Sequence, residues 1–90
     1  MPEISRFFGI IIKMYFGDHN PPHFHAEYQE FTAEYDIQTL TVIRGSLPNR
    51  AHAMVLEWAS IHREELLEDW QLAVNKLEVK KLHHSINHYS

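Results

Sequence analysis

The chain has 90 residues, no cysteine and a formal net charge of −4 when its eight histidines are counted as neutral. This length predicts one small domain that buries somewhat over ~60% of its unfolded surface. The lack of cysteine excludes disulfide scaffolds and thiol catalysis, so a metal site would have to use histidine, aspartate and glutamate. The acidic balance lacks the basic stripe of a dedicated nucleic-acid binder, and we expect weak or no binding of nucleic acid.

The N-terminal sequence indicates a cytoplasmic protein without membrane contact. Met1-Pro2-Glu3 is not the basic opening of a signal peptide. The apolar run of residues 7–16 is interrupted by Lys13 and is far shorter than the ~20 residues of a membrane span. We expect residues 1–75 to form the domain and residues 76–90 to form a partly mobile C-terminal tail.

The first half of the chain has the residue patterns of β-strands. Residues 7–16 are β-branched and aromatic with two apolar faces, which predicts one strand inside a sheet. A loop over residues 17–22 follows. Further strands are predicted over residues 23–28 and 31–37, with a short fourth strand over residues 40–44. The positions expected to face the core on the second and third strands are Phe24, Ala26, Tyr28, Phe31, Ala33, Tyr35 and Ile37.

The second half of the chain has helical spacing. Pro48 suits a first helical turn, and the pattern predicts a helix that ends near Asn75, with a break near Ser60 as an alternative. One broad apolar stripe consists of Ala51, Met54, Val55, Trp58, Ala59, His62, Leu66, Trp70 and Ala73. A second apolar line, Leu56, Leu67 and Val74, suggests a partner surface or a contact with the tail. The predicted class is α+β, with an antiparallel sheet of three to four strands and a long C-terminal helix packed on one face.

Residues that can carry chemistry are concentrated in the loop and the strand that follows it. Asp18 and His19 precede the stiff Pro21-Pro22 pair, and His23 and His25 follow it. Alternate residues of a strand share a face and lie roughly 6–7 Å apart, so His23 and His25 can converge on one ion or substrate.

A hairpin that turns at Gln29-Glu30 would bring carboxylates to these histidines. In that register His25 opposes Glu34 and His23 opposes Asp36, and opposed side chains lie about 5 Å apart. A shift of one residue would reverse every side chain and separate the pairs.

The cluster has three interpretations. His23, His25 and His19, with nearby carboxylates, have the ligand chemistry of a divalent metal such as zinc or manganese. The same groups can serve in general acid–base catalysis, because histidine titrates near neutral pH. Histidine opposite glutamate is also an ordinary pair on a solvated sheet face.

The segment from Asp18 to Tyr28, with its Asp-His-x-Pro-Pro-His-Phe-His string, resembles a family of small bacterial proteins known as domain of unknown function 4160. The opening strand and the helix from Leu56 to Trp70 resemble it as well. The resemblance implies no established activity and no agreed catalytic residues. It does imply membership of two-gene cassettes of the toxin–antitoxin kind, paired with another small protein.

Two functions of different classes follow. The first is a domain that binds a divalent metal or a polar ligand through His23, His25, His19 and Asp18, supported by Glu34 and Asp36. As an enzyme, such a domain would most naturally hydrolyse phosphodiesters. The alternative is a non-enzymatic module that binds a partner protein through the second apolar line or an open sheet edge.

Overall fold

The computed structural model describes residues 3–15, 17 and 19–74. The architecture is α+β, with a five-stranded antiparallel sheet followed by two helices. The elements are β1 (Glu3–Phe7), β2 (Ile10–Lys13), β3 (His23–Tyr28), β4 (Phe31–Asp36), β5 (Val42–Gly45), α1 (Asn49–Ile61) and α2 (Arg63–Val74). The strands lie in the sheet in sequence order, so each pairs with its neighbour in the chain.

The prediction of one strand over residues 7–16 was wrong. The chain reverses at Phe8 and Gly9, and β1 and β2 form an antiparallel hairpin in which Phe7 pairs with Ile10. Phe8 and Gly9 both have left-handed backbone angles, with φ of 50° and 79°. Glycine adopts this conformation without strain, which makes the turn possible at this point. The extra strand raises the count above the three to four expected.

The predicted hairpin of β3 and β4 is confirmed, including its register. His25 pairs with Glu34 and His23 with Asp36, with Tyr28 and Phe31 adjoining the turn. Gln29 takes a φ of 55°, so a residue other than glycine supplies the left-handed position of this turn. The alternation along β3 and β4 therefore divides apolar and polar side chains between two faces.

The core lies between the apolar face of the sheet and the helices. Phe24 stacks on Tyr35 across the hairpin with ring centroids 5.3 Å apart, and Trp58 of α1 meets the Phe24 ring edge-on. Most of the predicted stripe is buried, although Met54 and Trp58 are only partly covered. Asp69, which no apolar pattern could indicate, is fully buried.

The helical region is two helices, in contrast to the single long helix expected. The break falls at His62, two residues beyond the alternative near Ser60. The backbone angles of His62 are φ −109° and ψ 20°. The backbone N–H of His62 donates to the carbonyls of Trp58 and Ala59, while its own carbonyl accepts from the N–H of Leu66.

The second apolar line of the helices is not an open surface. Leu56, Leu67 and Val74 are partly buried and pack against the core. The large apolar side chains that are exposed in the described ranges are Phe8, Val42, Ile43 and Ile61. No helix among the described residues is long and apolar enough to span a membrane.

Candidate metal centre

The polar face of the β3–β4 hairpin brings three potential metal ligands together. His23, His25 and Glu34 each offer one ligand atom, and these atoms all lie within 4.8 Å of one another. The two histidines occupy alternate positions of β3 and so share one face. Glu34, on β4, pairs with His25. The arrangement follows directly from the two-residue period of the strands and from the hairpin register.

His23 is held in a fixed orientation from both sides. Its Nδ1 donates a hydrogen bond of 2.8 Å to the carbonyl of Pro21, so the neutral ring carries its lone pair on Nε2. That Nε2 lies 3.8 Å from Oε1 of Glu34. The ring of Trp70, from α2, contacts the His23 ring at a centroid distance of 5.1 Å, and His23 is only 6% exposed.

His25 lies beside His23 and is more accessible. Its Nδ1 is 4.0 Å from Oε2 of Glu34, and its ring centroid is 5.2 Å from that of His23. Tyr15, which follows β2, meets the His25 ring edge-on at 4.5 Å. Neighbours from three parts of the chain therefore limit how the two imidazoles can turn.

Charged residues flank the three ligands in a row across the sheet. Lys13 pairs with His25 in the sheet register, His25 with Glu34, and Glu34 with Arg44. Lys13 is engaged by Glu27, with Nζ 2.9 Å from Oε2, and this hydrogen bond raises the pKa of Lys13. Arg44 approaches Glu34 less closely, with Nε 3.9 Å from Oε2.

The spacing of the three ligands is slightly wider than a bound zinc ion would require. Metal–ligand bonds of about 2.0–2.1 Å in a tetrahedral site place the ligand atoms about 3.3 Å apart. The distance from His23 to Oε1 of Glu34 is 3.8 Å and that from His25 to Oε2 is 4.0 Å, so each histidine lies roughly half an ångström too far from its nearer carboxylate oxygen. Metal binding would therefore require the Glu34 and His25 side chains to move closer together.

The other predicted site residues lie in different positions. Asp18 lies outside the described residues. His19 is exposed in the loop between β2 and β3 and does not belong to the group of ligand atoms within 4.8 Å. Asp36 lies opposite His23, but its Oδ1 accepts hydrogen bonds from the backbone N–H groups of Gln38 and Thr39, at 2.8 and 2.9 Å. Its clear contribution is to the turn after β4.

Several residues of the site could not be identified from the sequence. Tyr15 and Trp70 both occupy positions with the pattern of an apolar core, and the Pro21 carbonyl carries no side-chain signal. Arg44 could have been found only with the β4–β5 register, which is shifted by an irregularity between Glu34 and Tyr35. Each of these contacts depends on the pairing of elements rather than on residue type.

A comparison with protein-family models finds a match to residues 9–71, which includes β2 to β5, α1, most of α2 and all three ligand candidates. The chain belongs to the family described as Domain of unknown function (DUF4160). The DUF4160 match confirms the resemblance seen in the sequence and assigns no activity. Neither the curated proteins nor the solved structures include a match to the chain.

Proposed function

We propose that this DUF4160 protein binds a divalent metal ion, such as zinc or manganese, through His23, His25 and Glu34. The observation that carries the proposal is the convergence of one ligand atom from each residue within 4.8 Å. Two histidines and one carboxylate form a ligand set used for catalytic zinc and for non-haem iron. Glu34 would then be the third ligand, in place of His19 and Asp18, the loop residues expected from the sequence.

The surroundings of His23 support a metal ligand. Metal-bound histidines commonly donate their second ring N–H to a backbone carbonyl or carboxylate, which fixes the tautomer and orients the ring. The Nδ1 bond to Pro21 has this form and leaves the lone pair on Nε2, which lies 3.8 Å from Oε1 of Glu34. The His23 ring therefore already has the tautomer that coordination through Nε2 requires.

Three protein ligands leave positions on the ion for water or substrate. Structural zinc sites use four protein ligands, whereas catalytic sites keep an open position. A metal in this position could activate a bound water as a nucleophile. Metal-assisted hydrolysis is therefore the reaction class that the ligand set supports best.

The test is calorimetric titration of the chain with Zn²⁺ and Mn²⁺. His83, His84 and His88 in the tail can chelate metal independently, so all three are changed to Gln in the background protein. We expect one ion per chain, and His25→Ala should abolish binding because it removes a ligand that is not part of the core. His62→Ala is the matched control and should bind metal as the background does. A background protein that binds neither ion stoichiometrically would refute the proposal.

A second candidate function is docking of another small protein along β5. This strand forms one edge of the sheet, all four of its residues are exposed, and Val42 and Ile43 are 38% and 42% accessible. An edge strand presents backbone N–H and C=O groups that can pair with a strand of another chain.

The docking function is tested by co-expression with the product of the gene adjacent to its own. A complex that co-elutes in size-exclusion chromatography is expected, and Ile43→Lys should dissociate it because a lysine on an edge strand disfavours pairing. His25→Ala should leave that complex intact. Separate elution of the two proteins would count against this function.

A further inference from the structure

We propose that the metal centre takes a phosphoryl group as its co-ligand and that Arg44 is the residue that binds it. This inference rests on the proposed metal site and names the chemical class that the site would accept. It assigns a role to a cation that the three-ligand proposal leaves unused.

A small pocket lies between the metal ligands and Arg44. It has a volume of about 70 Å³ and is lined by His25, Thr32, Ala33, Glu34, Arg44 and Gly45. Two of these residues, His25 and Glu34, are proposed metal ligands, so a group in the pocket would lie beside the proposed metal site. At roughly 10–15 Å³ for each water, this volume holds several waters and has room for a single phosphoryl group.

The charges explain why the co-ligand should be an anion. Without metal, the carboxylate of Glu34 and the guanidinium of Arg44 compensate each other at 3.9 Å. A divalent ion held by Glu34 and two neutral imidazoles leaves the ion, Glu34 and Arg44 with a combined charge of +2. A phosphate dianion would neutralise this excess, so phosphate binding should depend on the metal.

Arg44 is placed to contact such an anion. Its side chain is 78% exposed and its Nε lies 3.9 Å from Oε2 of Glu34, so the guanidinium is both near the proposed metal ligand and accessible to an anion. The planar guanidinium offers several N–H donors in a fork that matches two phosphate oxygens. Lys13, on the opposite side of the row, is already bound to Glu27 and is the weaker candidate.

Gly45 keeps Arg44 in this position. Gly45 pairs with Ala33 and has a φ of 78°. A Cβ at this residue would lie 2.3 Å from the carbonyl oxygen of Thr32 and 3.2 Å from the Cα of Ala33. Because only glycine permits this approach of β5 to β4, Arg44 is set directly beside Glu34 and above the pocket.

The experiment is titration of the Co²⁺-loaded protein, with the tail histidines changed to Gln, using inorganic phosphate. Binding is followed by the visible absorption of the cobalt ion. We expect phosphate to bind the loaded protein and to bind the metal-free protein far more weakly. Arg44→Gln should weaken phosphate binding by about tenfold or more, since one charge-assisted contact is lost. Its Co²⁺ affinity should remain close to that of the parent. Arg63→Gln, on α2, is the matched control and should change neither.

The outcomes separate the two proposals. If Arg44→Gln retains cobalt and also retains full phosphate affinity, the role of Arg44 is refuted and the metal site stands. Acetate that binds as tightly as phosphate at equal ionic strength would overturn the phosphoryl preference. A parent protein that binds no Co²⁺, Zn²⁺ or Mn²⁺ would refute the proposed metal site and this inference with it.

Discussion

Two histidines in this chain have the same kinds of neighbours in different arrangements. His62 lies at the junction of the two helices, with the ring of Trp58 at 5.2 Å and an interplanar angle of 47°. His23 lies on the sheet, with the ring of Trp70 at 5.1 Å and 48°. Each histidine is 6% exposed, and each has a glutamate nearby. The difference is in the distance to that glutamate.

At the helix junction the histidine and glutamate are in direct contact. Nδ1 of His62 lies 2.7 Å from Oε1 of Glu65, one helical turn away, so the pair forms a hydrogen bond and leaves no room for an ion. On the sheet, Nε2 of His23 is 3.8 Å from Glu34, and a second histidine faces the same carboxylate. Residue type and burial are therefore insufficient to separate a structural histidine from a candidate ligand, whereas the gap between the groups does separate them.

Replacing the two tryptophans gives the largest expected effects. Trp70→Ala should lower the free energy of unfolding by about 3–5 kcal/mol, because this side chain is 2% exposed and its removal leaves a large cavity. The change should also weaken metal binding, since the His23 ring loses its support. Trp58→Ala should destabilise less, because Trp58 is only partly buried, and should leave metal affinity unchanged. Urea denaturation and metal titration measure both quantities. Equal losses of metal affinity in the two variants would show that Trp70 supports the proposed metal site no more than Trp58 does.

The pH dependence of metal stabilisation is the second test of the comparison. Metal at about 100 times its dissociation constant should add about 2.7 kcal/mol to the free energy of unfolding. The added stability should be greater at pH 7.5 than at pH 5, because protons compete with the metal ion for histidine ligands. Thermal unfolding at pH 5 and pH 7.5, with and without Zn²⁺, measures it. The shift should survive His62→Ala and vanish in His25→Ala; a shift lost in both variants would show that the helix junction contributes.

A third histidine extends the comparison to alkaline pH. The hydroxyl of Tyr35 and Nδ1 of His52 form a hydrogen bond of 2.8 Å, and burial raises the pKa of Tyr35 to about 12. Because the folded protein holds this proton more tightly than the unfolded chain, the stabilisation is complete below pH 10 and is lost as pH rises from about 10 to 12. The loss should reach about 1.4 kcal/mol at pH 11.

Tyr35→Phe should remove this part of the alkaline loss. Urea unfolding of the parent and the variant at pH 9 and pH 11 gives the difference, and other tyrosines and lysines cancel between the two proteins. An identical decline in both proteins would mean that the Tyr35 proton does not stabilise the fold.

The smallest expected effect comes from the hydrogen-bonded pair of His62 and Glu65 at the helix junction. Glu65→Gln should lower the free energy of unfolding by about 0.5–1.5 kcal/mol, the usual contribution of one hydrogen bond. It should not alter metal affinity. Glu34→Gln is the informative counterpart, because it should reduce metal affinity strongly while changing metal-free stability little. If Glu65→Gln instead lowered metal affinity and Glu34→Gln lowered only stability, Glu65 would be the ligand and Glu34 the structural partner.

The β3–β4 hairpin could be predicted from the sequence because two independent signals agree. Apolar and polar residues alternate on both strands, and the interval at Gln29-Glu30 allows only one register that keeps the apolar faces together. These two signals are sufficient to place Glu34 opposite His25. The distances between the candidate ligand atoms could not be predicted, because they depend on the side-chain conformations that Pro21 and Trp70 restrict.

The turn at Phe8-Gly9 and the break at His62 could not be predicted in the same way. An apolar run over residues 7–16 has the same composition whether it is one strand or a hairpin, and a phenylalanine with a φ of 50° has no sequence signature. Gly9 was the available signal, since glycine after the first apolar residues permits a left-handed turn. His62 continues the helical spacing of the apolar stripe, so its place at a break was hidden by a pattern that both helices share.

The locality of the β3–β4 hairpin has a consequence for how the protein folds. His23, His25 and Glu34 lie within one turn-connected pair of strands, so their separation along the chain is short and the entropy lost in bringing them together is small. A metal ion bound at the proposed site would therefore need only this hairpin, and not α2, to be in place in the folding transition state. Metal should then increase the folding rate constant as well as slow unfolding, whereas contacts made through α2 should act mainly on the unfolding rate.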